Sequence, residues 1–203
     1  MKGIVGIEAA IVLIAFVIVA AALAFVVLNM GMYTTQRSKD VMQQGLNEAS
    51  SALEVDGSVL GYVNGNSTVD TIYIPLKISP GQLAVDFAKG KLDVVITIPG
   101  GTFGRINSEA DPERPDSYNY TALGESINVT TAPKAAVYIV TGDNDTVLEV
   151  GEKFLLVIKL PSDLALSQYE KFTVEIRPLQ GAPLVVERTI PPTLTAGELV
   201  SLG

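Results

Sequence analysis

The sequence predicts an α+β protein in which one long N-terminal α-helix is followed by an antiparallel β-sandwich. Residues 9–28 carry no charged or polar side chain, and no proline interrupts residues 30–54. From Val59 onward, short β-branched runs alternate with Gly, Pro, Asn and Asp. The first two features are typical of a long helix, and the third is typical of an all-β domain.

The first element is an apolar helix of membrane-spanning length. Residues 9–28 form about 30 Å of helix, which matches the hydrocarbon core of a bilayer. Removing this segment from water is favourable by something on the order of 30 kcal/mol, so it must lie in lipid or against copies of itself. A secretory signal would have a shorter apolar region behind a basic stretch, and only Lys2 precedes this one, which favours retention of the helix.

The helix is expected to continue beyond the apolar run. Met42, Leu46, Ala49 and Leu53 recur at spacings of four, three and four, as on one stripe of an amphipathic helix. Gly57 suits the left-handed position that ends many helices. We therefore predict a helix over residues 4–57 and a sandwich over residues 58–203.

Six runs are predicted as strands of the sandwich, because each is short, β-branched and bounded by turn residues. They cover residues 71–78, 92–98, 135–141, 154–160, 172–177 and 184–189. Residues 100–120 are the one long irregular stretch and are predicted to form an exposed loop.

The amino-acid composition narrows the range of possible functions. The formal charge is −8, with 14 Lys and Arg against 22 Asp and Glu, and no basic patch is visible along the sequence, which argues against a nucleic-acid partner. The chain has no Cys, hence no thiolate ligand, and no His, hence neither the commonest general base nor the commonest metal ligand. Neither G-x-S-x-G nor a phosphate-binding glycine loop occurs, so we expect no enzyme and no required cofactor.

N-linked glycosylation is predicted at the N-x-S/T motifs. Four of the eight asparagines begin such a motif: Asn66, Asn119, Asn128 and Asn144. About one would be expected by chance from the Ser and Thr content. The excess favours attached glycans on a surface outside the cell, although Asn-Thr pairs also populate ordinary β-turns.

The segment 141–152 is a candidate calcium-binding loop, because it concentrates carboxylate and amide oxygens. Asp143 and Asp145 are the first candidate ligands. Counted from Asp143, the loop lacks the glycine and glutamate that an EF-hand has at its sixth and twelfth positions. Its charge is equally explained by a solvated turn between two strands.

The start of the chain carries a resemblance to a known family. Lys2 and Gly3 are followed by IVGIE over residues 4–8 and then by the apolar run, which resembles the start of an archaellin, the archaeal flagellin, within the type IV pilin-like subunits. The resemblance implies that a prepilin peptidase cuts between Gly3 and Ile4 and removes residues 1–3. Glu8 then becomes the fifth residue of the mature chain, where type IV pilins have a glutamate. An immunoglobulin-like form of the sandwich is also implied.

The position of Glu8 has a physical explanation if its carboxylate fixes the axial register of neighbouring helices. A carboxylate entering a packed helical bundle costs several kcal/mol unless a partner neutralises it, and the new amino group of Ile4 on a neighbouring subunit could do so. Such pairing stabilises one axial register of the helices relative to the others. The simpler explanation is a favourable interaction with the helix dipole, worth a few tenths of a kcal/mol.

The function implied by the resemblance is that of a structural subunit of an extracellular filament. The chain would enter the membrane as a precursor and then form a homopolymer through its N-terminal helices, with archaellum assembly and motor proteins as further partners. One alternative is the pilin of an adhesive type IV-like pilus. Another is a membrane-tethered β-sandwich that acts as a binding module.

Overall fold

The computed structural model of the chain describes residues 2–50, 53–107 and 110–203. It separates into two compact units, Met1–Leu46 and Asn47–Gly203. Helix α1 runs over Lys2–Ser50. The second unit contains a short helix α2, Tyr120–Glu125, and twelve strands within the described residues. The strands are β1 Leu53–Val55, β2 Leu60–Val63, β3 Val69–Ile78, β4 Val85–Asp86, β5 Leu92–Ile98, β6 Gly101–Phe103, β7 Lys134–Thr141, β8 Val147–Leu148, β9 Lys153–Lys159, β10 Lys171–Pro178, β11 Leu184–Thr189 and β12 Leu199–Ser201.

The long N-terminal helix is confirmed, but its predicted end at Gly57 is wrong. The helix stops at Ser50, and Leu53 begins β1, where it is buried and lies opposite Ile78 of β3. Burial of Leu53 in the second unit therefore outweighs the helical stripe that the sequence spacing indicated. Gly57 does have a positive φ of 101°, but it follows a strand and not a helix.

The second unit is built from antiparallel strands, as predicted. The larger sheet has six strands in the order β12-β2-β3-β9-β7, with β1 also paired to β3. A four-stranded sheet has the order β11-β10-β5-β6, and β4 pairs with β8. Every pairing between these strands is antiparallel.

The two larger sheets share one hydrophobic core. Ile72, Ile74 and Leu76 alternate along β3 and are fully buried, and they belong to the same cluster as Val94 and Ile96 of β5. Side chains on alternate positions of a strand point to one face, so each sheet contributes its inner face to this core. This arrangement is that of a β-sandwich.

The larger sheet is also covered on its outer face. Tyr73, Leu155 and Val157 occupy the intervening positions of β3 and β9 and pack with Leu123 of α2. The sequence of β9 is therefore a continuous apolar run instead of an alternating one, because both faces of the strand are buried.

The predicted exposed loop over residues 100–120 is only partly correct. Residues 101–103 form β6, and Ile106 is buried. The Ile106 N–H donates to the Val94 carbonyl, and the Glu113 carbonyl accepts the N–H of Ile139. Backbone bonds of this kind hold the segment against β5 and β7, whereas residues 108 and 109 lie outside the described residues.

Candidate assembly helix and surface sites

The N-terminal part of α1 presents an apolar surface that the described residues leave exposed. Residues Gly6–Gln43 have a mean hydropathy of 3.4 over their most apolar window, and none of that window is buried. Phe16 is 74% exposed and Leu28 is 68% exposed. Side chains of this size are not stable in water over such a length, so the helix requires a lipid or protein environment.

Glu8 lies in the second turn of α1, beside this apolar surface, and is exposed. No ion pair or hydrogen bond reaches its carboxylate from the part of the chain that the structure describes. Gly3 and Ile4 belong to the first turn by their backbone, and their side chains lie outside the described residues. The predicted cleavage between them stays a prediction.

A short polar collar, residues 33–37, follows the apolar segment. The hydroxyls of Thr34 and Thr35 donate to the carbonyl oxygens of Met30 and Gly31 at 2.8 and 2.9 Å. Arg37 donates to the Tyr33 hydroxyl at 3.3 Å, with its guanidinium 5.7 Å from the ring centroid. The side chains of Thr34, Thr35 and Arg37 are thus hydrogen-bonded within the helix itself.

The four predicted glycosylation asparagines are all exposed. Asn66 lies in the turn between β2 and β3, and Asn144 lies in the loop after β7 with a φ of 77°. Asn119 caps α2, because its Oδ1 accepts the Thr121 N–H at 3.1 Å. A glycan would be attached to Nδ2, so this cap and glycosylation are compatible. Exposure permits modification at each site, including Asn128 after α2, and glycosylation stays a prediction.

The candidate calcium ligands lie in one cluster with a third acid. Asp143, Asp145 and Glu152 each place a carboxylate oxygen within 4.8 Å of the others. Each carboxylate also accepts a backbone N–H: Glu152 from Asp143 at 3.0 Å, Asp143 from Asp145 at 3.2 Å, and Asp145 from Val147 at 2.8 Å. These bonds explain the loop conformation without a cation, and calcium binding stays a prediction. The sequence reading placed Glu152 in the segment but did not single it out.

Folding creates a basic pocket that sequence reasoning missed. The pocket has a volume of about 570 Å³, and its lining includes Lys89, Lys91, Arg105 and Arg177, with Asp93 as the one carboxylate among the described lining residues. Arg177 and Asp93 lie opposite each other on β10 and β5. The absence of a basic run along the sequence is therefore a poor guide to the folded surface, because strand pairing assembles this patch from distant segments.

Comparison with known proteins gives consistent matches over nearly the whole chain. The family model described as archaeal-type flagellin matches residues 3–188. A curated protein named probable flagellin 1 from Aeropyrum pernix is 53% identical over 203 residues, which covers 100% of this chain and 98% of that protein. Probable flagellin 2 from Archaeoglobus fulgidus is 33% identical, covering 96% and 92% of the respective chains.

Solved structures of archaeal flagellar proteins also match this chain. The archaeal flagellum of Methanospirillum hungatei matches with a TM-score of 0.67 and 27% identity, covering 95% of this chain and 97% of that one. Archaeal flagellin FlaB1 from Methanocaldococcus jannaschii has a TM-score of 0.60 at 16% identity, covering 74% and 95%, which supports the fold.

Proposed function

Because this chain belongs to the archaeal-type flagellin family, we propose that it polymerises through α1, with the β-sandwich forming the outer part of the polymer. The chain is a structural subunit of the archaellum, the extracellular filament that serves swimming motility. The observation that carries the proposed mechanism is the uncovered apolar surface of Gly6–Gln43.

The driving force of assembly is apolar burial and close packing. In the precursor the apolar segment lies in the membrane, and in the filament it exchanges lipid for neighbouring helices. Lipid tails and leucine side chains are similarly apolar, so the gain from this exchange comes from the shape fit of packed helices more than from leaving water. Helix packing in apolar surroundings favours small side chains, and residues 20–22 of this segment are all alanine.

Glu8 sets the axial register of the helices. Its exposed carboxylate sits at the edge of the apolar surface and has no charge partner within the described chain. A prepilin peptidase cut between Gly3 and Ile4 supplies a new amino group four residues away along the sequence. Pairing of that amine with Glu8 of a neighbouring subunit removes the cost of burying the carboxylate in one register only.

The work of the protein is mechanical, and we assign it no catalytic role. Rotation belongs to a separate membrane motor. Glycans at the four exposed asparagines would add a hydrated layer to the outer surface of the filament.

Electron microscopy of native filaments, combined with N-terminal sequencing of the same sample, tests this function. We expect filaments composed of this chain with Ile4 as the first residue. A deletion strain that keeps swimming but loses attachment would favour the adhesive pilus. A chain that stays monomeric in the membrane would contradict polymerisation and favour a tethered binding module.

A further inference from the structure

The described residues neutralise the positive charge of the basic pocket only in part. Arg177 is compensated, because it forms an ion pair with Glu175 at 2.6 Å and faces Asp93 across the strand pair. Lys91 and Arg105 are exposed, and no ion pair reaches either from the described residues. Within the part of the chain that the structure describes, Lys91 and Arg105 therefore form a cationic surface on a chain whose formal charge is −8.

Arg105 extends this surface into a second opening. It also lines a neighbouring pocket of about 560 Å³ together with Lys134, and the described residues that line this pocket include no carboxylate. Arg105 lies at a φ of 53°, in the left-handed region. The adjacent Ile106 is bonded on both sides, its N–H to Val94 at 3.1 Å and its carbonyl to Ala135 at 2.5 Å, so the backbone that presents Arg105 is held in place.

The opposite charge is concentrated elsewhere on the same unit. The acidic loop, residues 143–152, carries the three carboxylates that lie within 4.8 Å of one another, and Glu149 beside them is exposed. Mutual repulsion in such a cluster is relieved when cations approach it. The pocket and the acidic loop are therefore complementary in charge.

We propose that the basic pocket of one subunit receives the acidic loop of a second copy of this chain in the filament. The inference rests on the proposed function, since polymerisation is what brings the two surfaces together. A contact between two different surfaces is heterologous, and a heterologous contact whose rotation does not close generates a helical polymer. The contact joins outer domains and so adds to the packing of the N-terminal helices.

Cysteine cross-linking tests the contact directly, because the natural chain has no cysteine. The variant carrying Leu179→Cys in the pocket lining and Val150→Cys in the acidic loop keeps every charge of both surfaces, and the two side chains are 67% and 50% exposed. It is assembled into filaments and treated with a short bis-maleimide. We expect a ladder of covalent multimers on a denaturing gel. The matched control pairs Leu179→Cys with Asp163→Cys, since Asp163 is also exposed but lies outside the acidic loop.

The outcomes separate this inference from the function on which it rests. Normal filaments that give no more multimers than the control pair overturn the contact and leave the filament intact. If the unmodified chain forms no filaments, the proposed function itself fails. Single-cysteine variants can yield dimers at most, so a ladder requires both positions.

A charge exchange gives an independent readout. Arg105→Glu and Glu149→Arg are each expected to lower filament yield several-fold, and the double variant to recover most of the loss. Lys171→Glu, at an exposed side chain with only a 3.8 Å pair to Glu187, is the control for net charge and should assemble normally. A double variant no better than the weaker single variant would refute the pairing.

Discussion

Tyr73 and Tyr120 join the larger sheet to the helix that covers its outer face. The Tyr73 hydroxyl donates to the backbone carbonyl of Tyr120 at 2.6 Å, and the two rings meet edge to face with centroids 5.1 Å apart. Burial raises the pKa of the Tyr73 phenol, which keeps the hydroxyl protonated as a donor. The contact fixes the first turn of α2 against β3.

Tyr73→Phe tests the strength of this attachment. The ring contact remains but the Tyr120 carbonyl loses its donor, so we expect the free energy of unfolding to fall by about 1 to 2 kcal/mol. Urea unfolding of the detergent-solubilised chain, followed by near-ultraviolet circular dichroism, measures the change. Tyr169→Phe is the control, because Tyr169 is 70% exposed and its substitution should be neutral.

Asp56 should make the stability of the second unit depend on acid pH. Its carboxylate pairs with Lys153 at 2.5 Å and with Lys77 at 3.3 Å, and these bonds lower its pKa below the ordinary value of 3.8. The unfolded chain therefore takes up the proton at a higher pH than the folded chain does. The contribution to stability is complete above pH 3.8 and is lost as the pH falls through the lowered value.

Asp56→Asn is accordingly expected to lower the Tm at neutral pH, with the difference from wild type closing in strong acid. Calorimetry across this pH range measures both curves. Asp163→Asn, at an exposed carboxylate, serves as the control. A difference that stays constant down to the lowest pH would show that the ion pairs are not its source.

Glu8→Ala should impair assembly without affecting membrane insertion. Loss of the carboxylate removes the preference for one register, and we expect several-fold fewer or shorter filaments with a normal amount of precursor in the membrane. Electron microscopy and membrane fractionation provide the two measurements. Asp40→Ala, at an exposed acid further along the same helix, is the control. Normal filaments from the Glu8 variant would remove the register role while leaving the filament itself unaffected.

Glycan attachment can be tested one motif at a time by intact mass spectrometry of purified filaments. Asn128→Gln is expected to lower the mass by one glycan, and Thr130→Ala should give the same loss because it destroys the same motif. Thr130→Ser preserves the motif and should keep the glycan. An unmodified wild-type mass at this site would show that it is only an exposed loop asparagine.

Calcium binding at the acidic cluster has a direct test in isothermal titration. If the three carboxylates hold the ion, a Kd of about 0.1 to 1 mM is expected, as in other extracellular modules. Asp143→Asn should weaken it at least several-fold, because it removes one charged ligand, while Asp163→Asn should not. A titration without heat in millimolar calcium would leave the backbone N–H bonds as the whole explanation of the cluster.

Local patterns predicted the long elements well and the short ones poorly. The predicted strands over residues 92–98 and 184–189 coincide with β5 and β11, because each is a β-branched run of six or seven residues bounded by turn residues. Strands β4 and β8 have two residues each and exist only because they pair with each other. The end of α1 was misplaced for the same reason, since Leu53 continues a helical spacing but gains more from the sheet.

The candidate sites differ in the same way, because a site formed by consecutive residues can be predicted from the sequence and a site assembled by strand pairing cannot. The apolar surface of α1 is a property of consecutive residues and could be read directly from the sequence. The basic pocket is not, because Lys91 and Arg177 are brought together only by the pairing of β5 with β10. A charge count cannot anticipate such a surface on a chain whose net charge has the opposite sign.

The polar collar of α1 bears on how a subunit is extracted from the bilayer. The hydroxyls of Thr34 and Thr35 donate hydrogen bonds to carbonyls of the preceding turn, so these donors need no bound water when the helix changes surroundings. A hydroxyl that bound water would have to lose that water before the subunit entered the growing end of the filament. The two threonines can therefore pass from lipid into packed protein helices at little desolvation cost, which eases the transfer of each incoming subunit.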